Sequence, residues 1–514
     1  MTNGIPKGSY VLRPGVEIRS APSGGVLLQW NPLRAIQLNP MGYRILRQSV
    51  TGFEPAPSES LCTAGLEETL TFLDLLFQAE VLSWIPPQTA FEPQVSIIVP
   101  VYDRADEIGA CIESLLNLDY PPAKREIIVV DDGSRDHTAA VVRRYDVRLV
   151  VLPHNMGQSA ARNVGVRSAS GEILAFIDSD CMADPMWLRA LLPNFNDPRI
   201  ALVGGRVEAH DRKTWLDRYE ATHSALDMGP KIRLGAAPYS DFYVPTCNML
   251  VRKEAFEAVG GLDESLRVGE DVDLCWRLKA NGYRGIYVPN GRVRHRHRNR
   301  LVSNFKRRYD YGTSEAMLYA RHPNVTKRFP WQTAGLVLIA LGVAGLATRS
   351  LTVLPLGAMV LLFEGIVKKR HLQNKFCIRL ALTAVIRAAA KSHGTLAYYL
   401  SYYWIRYFLA ASVMLTAVFP SIWLLMASLA LYPTMIEYLQ KRPLLPFPVF
   451  WLYFWMEQLF YQIGVVCGCR RVGNWRLYGI TFIRTGSQQA GRFSLLNRIK
   501  MRLRSGVWLS PEKG

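Results

Sequence analysis

Two carboxylates with one residue between them, Asp178 and Asp180, follow the apolar run Ile173-Leu174-Ala175-Phe176-Ile177. A run of that kind reads as a buried strand, which puts both acids at its carboxyl end, the side on which open α/β sheets bind ligands. Two acids so close repel unless a cation joins them. A hard divalent ion with oxygen ligands, holding the diphosphate of a substrate, resolves the repulsion. The competing reading is a helix cap, with Asp180 ahead of a helix from Pro185 to Phe195.

The surrounding pattern decides between them. From Gln94 to about His297 strand and helix alternate. Val95–Pro100, Glu126–Val130 and Val147–Leu152 read as strands, with helices over Ala105–Leu116, Ala139–Arg144 and after Asn155-Met156-Gly157. Alternation of this kind gives a mostly parallel sheet with crossover helices. Downstream, Tyr243–Arg252 reads as a further strand, and Gly269-Glu270-Asp271-Val272-Asp273 precedes Leu274 to Arg277. Acids in that position also suit an ordinary helix start, where the dipole favours them.

Four fragments in this order, "VSIIVPVYDR", "VVDDGSRD", "NMGQSAARNVG" and "AFIDSD", resemble the nucleotide-binding half of the large family 2 glycosyltransferases of GT-A fold, a Rossmann-like α/β class. The resemblance covers roughly two hundred residues, set at 94–300. It implies a nucleotide-sugar donor whose base and ribose lie near Pro100 and Tyr102, with Asp132 on the uracil, Asp131 beside it and Arg162 near the phosphates or ribose. It implies that Asp178, with Ser179, reaches the ribose or a water ligand. Asp180 would then bind Mg2+ or Mn2+, with Asp178 and His295 completing the set and His297 as a substitute for His295. It also implies that Asp271, paired with Glu270, is the general base. The plain readings are turn chemistry for Asp131 and solvated surface for Arg162 and the histidines.

Residues 1–85 read as a small separate domain. Tyr10–Arg13, Glu17–Arg19 and Val26–Trp30 are short strand candidates, Ala35–Leu38 follows, Asn39-Pro40 opens a helix, and a second helix runs from Glu67 to Gln78. This order resembles the PqqD-like, winged-helix-like domains of peptide-modifying systems, which implies a peptide bound along a sheet edge. A plain structural extension is the alternative. Trp84-Ile85-Pro86-Pro87 and Glu92-Pro93 make a stiff linker.

Lys and Arg outnumber Asp and Glu by 61 to 42, a net charge of +19, and the excess gathers after residue 280. Beside long apolar segments, such a run points to an anionic membrane surface rather than to nucleic acid. Residues 301–332 read as amphipathic interface helices, 333–470 as membrane-associated helices and 471–514 as a basic tail. Spans are expected as a pair within 333–367, and at Thr395–Phe419 and Ser421–Leu439, with basic residues flanking each pair. Pro446–Cys469 reads as interfacial or re-entrant. No zinc spacing occurs among the eight cysteines, so reduced thiols are expected. No apolar leader occurs in the first thirty residues, so the catalytic part is expected on the cytoplasmic face of the plasma membrane.

Domain order, rather than any catalytic motif, resembles the glycosyltransferases of mycofactocin systems. That implies transfer of a sugar, glucose from UDP-glucose, onto a peptide-derived redox cofactor. Two alternatives stand beside it: transfer to a lipid-linked or cell-envelope glycan, and a non-catalytic membrane-anchored scaffold that binds peptide.

Overall fold

The structure is a computed structural model. It describes residues 9–484 apart from positions 22–23, 31–32, 51, 53–71, 87–90, 236–241 and 298–299 and a few between 74 and 80; residues 1–8 and 485–514 lie outside the described residues. Most of the second N-terminal helix expected at Glu67–Gln78 is therefore outside them, although Phe72, Leu73, Leu76 and Phe77 are described and buried. Most of the basic tail is outside them too. The chain divides into two compact units, built chiefly from Pro86–Val325 with Lys441–Trp475, and from Gly8–Ile85 with Thr326–Gln440.

The N-terminal part opens with β1 (Ser9–Leu12), followed by the antiparallel meander β2 (Val16–Ala21), β3 (Gly24–Trp30) and β4 (Leu33–Leu38). Helix α1 (Pro40–Gln48) starts where the sequence says it should. The Asn39 side chain accepts from the Gly42 amide, and Pro40, which has no N–H to satisfy, takes the first helical position. The stretch expected as linker begins later than Trp84, because β5 (Leu82–Ile85) pairs antiparallel with β1.

The other unit is organised by a nine-stranded sheet. Its elements are β6 (Val95–Val101), α2 (Ala105–Leu116), β7 (Arg125–Asp131), α3 (Thr138–Val142), β8 (Arg148–Val151), α4 (Gln158–Arg167), β9 (Ile173–Phe176), β10 (Cys181–Ala183), α5 (Trp187–Leu191), β11 (Ile200–Ala209), α6 (Trp215–His223), β12 (Arg233–Leu234), β13 (Met249–Arg252), α7 (Lys253–Ala258), α8 (Glu270–Ala280), β14 (Arg284–His295) and α9 (Leu301–Arg321). Strands β9, β6, β7 and β8 are parallel, as the crossover pattern requires. The far half corrects the expectation of a mostly parallel sheet. There β13 runs antiparallel to both β9 and β11, and β10 antiparallel to β14, so the sheet is mixed. β6 and β9 are buried along their whole length, including Ile97, Ile98, Leu174 and Phe176, because helices cover both faces.

Beyond α9 come β15 (Lys327–Trp331), α10 (Thr333–Thr348), α11 (Val353–Phe376), α12 (Leu382–Val418), α13 (Trp423–Lys441), α14 (Phe447–Val472) and β16 (Ile480–Arg484), with β15 and β16 pairing in parallel. The membrane spans expected at 333–367, Thr395–Phe419 and Ser421–Leu439 are corrected here. Among the described residues no helix is long and apolar enough to cross a membrane. The causes are visible in each. α10 has only 16 residues, α11 carries Glu364 and Lys368-Lys369-Arg370, α12 carries Arg406, and α13 contains Pro433 and Glu437. Phe376, Ile378 and Leu380 alternate along an extended segment and pack on Val26 and Leu28 of β3.

α9 and α14, both expected as interfacial segments, pack along one another. Glycines set their separation: a Cβ on Gly312 would stand 2.1 Å from the Tyr461 carbonyl oxygen, and one on Gly464 would stand 2.0 Å from that of Tyr309. Gly464→Val therefore forces the helices apart and should cost about 1–3 kcal/mol, read as a lower midpoint in thermal unfolding. Gly342→Ala, in α10 with nothing within 4 Å of the new methyl, should leave the midpoint unchanged or raise it slightly.

Candidate active site

The acids and cations of interest come from the carboxyl ends of the parallel strands and the turns that follow. β9 ends at Phe176, and Asp178 and Asp180 lie in the tight turn before β10, closed by the Cys181 amide donating to the Asp178 carbonyl. The helix-cap reading of Asp180 fails, since a strand rather than a helix follows it. Pairing of β10 with the end of β14 sets Cys181 opposite His295. That register brings His295 Nε2 to 3.4 Å from Asp180 Oδ1. Asp180, Cys181 and His295 offer ligand atoms within 4.8 Å of one another. His295 Nδ1 is buried with no hydrogen-bond partner among the described residues. A carboxylate oxygen and an imidazole nitrogen at this spacing fit a divalent cation. His297 rings against His295 at 4.7 Å, and its pKa is lowered to about 4, first by burial and then by that neighbour, so it is neutral at pH 7.

Arg162 of α4 ties the halves of the site together. Its side chain is 1% exposed; Nη2 donates to Asp178 at 2.5 Å and Nη1 to Glu270 at 3.1 Å. The solvated-surface reading of Arg162 is thereby overturned, because a buried guanidinium needs paired acids. Gln158 Nε2 donates to the same Glu270 oxygen at 2.8 Å and also to the Arg267 carbonyl. Gly157, at φ +96°, turns the chain into α4 so that Gln158 and Arg162 project one turn apart on one face.

Glu270 and Asp271 begin α8, as the helix-start reading also requires, directly after Gly269 at φ +85°. Asp271 accepts from the Val272 amide at 2.8 Å. Its pKa is raised to about 7, first by burial and then by the Glu270 charge, with Arg162 and Arg307 opposing. A carboxylate poised near neutrality is suited to take a proton in the transition state.

The Asp131-Asp132 pair is placed differently from a free acidic face. Asp131 accepts from the Ser134 amide at 2.9 Å, which is turn chemistry. Asp132, 3% exposed, accepts from the amides of Met156 at 2.7 Å and Gly157 at 2.9 Å. Asp132 thus fixes the turn into α4 and with it Arg162, while its oxygens keep lone pairs for a base N–H. Pro100 is buried in β6, and Tyr102, half-buried, follows that strand. Ser179 is buried between the two acids.

Two cations at the site stand outside the sequence expectation. Arg104 Nη2 lies 3.8 Å from Asp180. Against the opposing effect of burial, the pKa of Arg307 of α9 is pushed up first by Tyr311 beside it and then by the charges of Glu270 and Asp178. Arg104 ends the quoted fragment "VYDR", but Arg307 sits in a basic run with no local signal of a buried role.

With this geometry in view, residues 96–260 match the family described as Glycosyl transferase family 2. These residues form a family 2 glycosyltransferase domain. A pre-mycofactocin glycosyltransferase of Mycobacterium tuberculosis is 34% identical over 331 residues, covering 63% of this chain and 65% of that protein. The glycosyltransferase AglE of Haloferax volcanii is 33% identical over 202 residues, covering 38% of this chain and 64% of AglE. The chain thus spans just under two thirds of the length of these relatives. Among solved structures, a mannosyltransferase from Pyrobaculum calidifontis in complex with GDP-Man and Mn2+ aligns at TM-score 0.45 and 18% identity, over 78% of this chain and 94% of that one.

A carboxylate accepts a proton only when ionised, so with its pKa raised to about 7 Asp271 loses that capacity as pH drops through 7, about tenfold per unit below it. A pH profile of kcat/KM for sugar transfer should show this limb, and Arg162→Gln, which removes the opposing cation, should move it upward.

Proposed function

We propose that the chain is an inverting, metal-dependent glycosyltransferase that moves a sugar from a nucleoside diphosphate, UDP-glucose, onto a peptide-derived redox cofactor of the mycofactocin type. The observation that carries the reading is the Arg162 clamp, which holds Asp178 and Glu270 on one guanidinium with Asp271 next in line. Similarity to a protein named pre-mycofactocin glycosyltransferase supports the acceptor class.

In this reading Pro100 and Tyr102 border the base, and Asp132 accepts from the uracil N3–H while it keeps the turn before α4 in place. Asp178 and Ser179 meet the ribose. Asp180 and His295 would hold Mg2+ or Mn2+, with Asp178 reaching it directly or through water. When bound there, the ion supplies Lewis-acid stabilisation of the leaving diphosphate. Asp271 accepts the proton of the acceptor hydroxyl as that oxygen attacks the anomeric carbon, and Glu270, fixed by Arg162 and Gln158, keeps it oriented. Attack opposite the leaving group inverts the centre, giving a β product from an α-linked donor.

The N-terminal part, where β2 is the terminal strand of its three-stranded sheet among the described residues, is what we assign to the peptide moiety of the acceptor. A lipid surface is the second partner. α11 and α12 expose Leu354, Phe363, Met414 and Val418, at 64%, 71%, 70% and 68%, while their polar Glu364 and His393 are hydrogen-bonded to one another at 2.6 Å. Apolar side chains outward and paired polar ones inward favour contact with lipid, and we place the enzyme on the cytoplasmic face of the plasma membrane.

Asp271→Asn should lower kcat by about 100- to 10,000-fold with UDP affinity retained. Asp180→Ala should instead weaken UDP binding only when Mg2+ or Mn2+ is present. UDP release with the purified acceptor measures the first, and calorimetry with and without metal the second. Unchanged transfer in both variants would sink the assignment.

A further inference from the structure

The arginines around the site are not equally available to a substrate. Arg162 commits both terminal nitrogens to Asp178 and Glu270. Arg104 donates to Glu107 at 2.6 Å and keeps its other terminal nitrogen 3.8 Å from Asp180. Arg308 is buried against Glu220 at 2.6 Å. Arg307 differs from all three. Among the described residues no carboxylate comes within ion-pair distance of its guanidinium, which lies 4.9 Å from the centre of the Tyr311 ring.

The packing of α9 aims this side chain. Arg307, Tyr311, Ser314 and Leu318 recur at helical spacing and form one stripe. The far end of the stripe rests on the entry to α8. A Cβ on Gly269 would strike the Ser314 hydroxyl and stand 3.1 Å from Leu318 Cδ1, and Leu318 packs with Leu266 and Trp276. Gly269 directly precedes Glu270 and Asp271, and Arg307 stands on the same face of α9 two turns before Ser314, about 10 Å along the axis. The rotation of α9 is set by its neighbours on another face. Asn304 and Arg308 both donate to Glu220 of α6, and Arg308 is turned about 100° from Arg307. Arg307 is thereby held on the side of the acids, close enough to feel the charges of Glu270 and Asp178 and to oppose the rise in the Asp271 pKa.

A half-buried guanidinium that faces the acids of the site without an ion pair to any of them suits an anion that arrives with the substrate. Its forked donors match phosphate oxygens. We propose that Arg307 is a catalytic residue that donates to the β-phosphate of the nucleoside diphosphate and stabilises the charge that develops there as the sugar leaves. This rests on the donor reading proposed above and adds to it the side chain that meets the leaving phosphate. The glycosidic C–O bond breaks with its electron pair passing to the β-phosphate oxygen, the acceptor oxygen forms the new bond to the anomeric carbon, and the acceptor proton goes to Asp271. A donor fixed in place before the reaction and aimed at that oxygen lowers the barrier because the charge on it grows in the transition state.

The test is calorimetry on the full chain with UDP and with UMP, which lacks the β-phosphate, in EDTA so that no divalent ion contributes. Arg307→Gln should weaken UDP binding about 10- to 100-fold and leave UMP binding unchanged. With Mn2+ restored, kcat for sugar transfer should fall about 100-fold or more. Arg307→Lys keeps the charge but not the fork, and should recover part of both losses. Unchanged UDP affinity in Arg307→Gln overturns the proposal even if turnover falls, because the arginine would then act on the acceptor or on Asp271. Equal losses for UDP and UMP overturn it too, since they would show a role in shaping the pocket rather than a bond to the β-phosphate. Failure of the unaltered chain to bind UDP, with or without Mn2+, sinks the donor reading itself, whereas normal binding with an indifferent variant sinks only the role of Arg307.

Discussion

A single buried guanidinium holds the site together. Arg162 is 1% exposed, and its charge is tolerated inside only because Asp178 and Glu270 meet it from two sides. Removing one partner of such an arrangement leaves an uncompensated charge and costs about 3–5 kcal/mol. The acids it joins come from segments far apart in sequence, the turn after β9 and the first turn of α8. Where α4 goes, both follow. Asp132 therefore matters twice over. By accepting the amides of Met156 and Gly157 it fixes the turn into α4, and so fixes the direction in which Arg162 points.

The mixed half of the sheet serves the same end by different means. β13 runs antiparallel to β9 and β11, so the chain returns across the sheet before α8 starts, and Glu270-Asp271 arrive opposite the β9 turn. β14 then pairs along β11 and, at its end, with β10, which brings His295 beside Asp180. Register, rather than any local preference of His295, makes the pair. One residue of slip would turn His295 to the other face.

Much of this was legible in the sequence, and the reasons differ by element. The parallel strands are continuous apolar runs ending in acids or turn residues, a pattern that survives without context. α1 announces itself through Asn39-Pro40, a cap with a local hydrogen bond. Burial of Arg162 was not legible, because an arginine among Ala and Asn on a short helix looks solvated until its partners from elsewhere in the chain are placed. Nor was the role of Arg307, hidden in a basic run. The helical segments after residue 332 read as spans because apolar runs there sit between basic flanks, and single charged residues defeat that reading. Glu364 and Arg406 look tolerable in a window, yet each interrupts the apolar stretch that a crossing needs.

The same interruptions explain how these helices are held together. Glu364 is paired to His393 and Lys368, each at 2.6 Å, and the Gln332 side-chain oxygen accepts from the other ring nitrogen of His393 at 2.8 Å. Hydrogen bonding from both partners holds the Glu364 carboxyl down at about 2 against the opposing effect of burial, so it stays ionised at any physiological pH. A permanent charge at that point must keep its partners, which fixes the start of α10, the middle of α11 and the first third of α12 relative to one another. The apolar residues freed from that task face outward. Polar side chains thus supply the specificity of helix pairing in this region, while the apolar ones are left for whatever surrounds it.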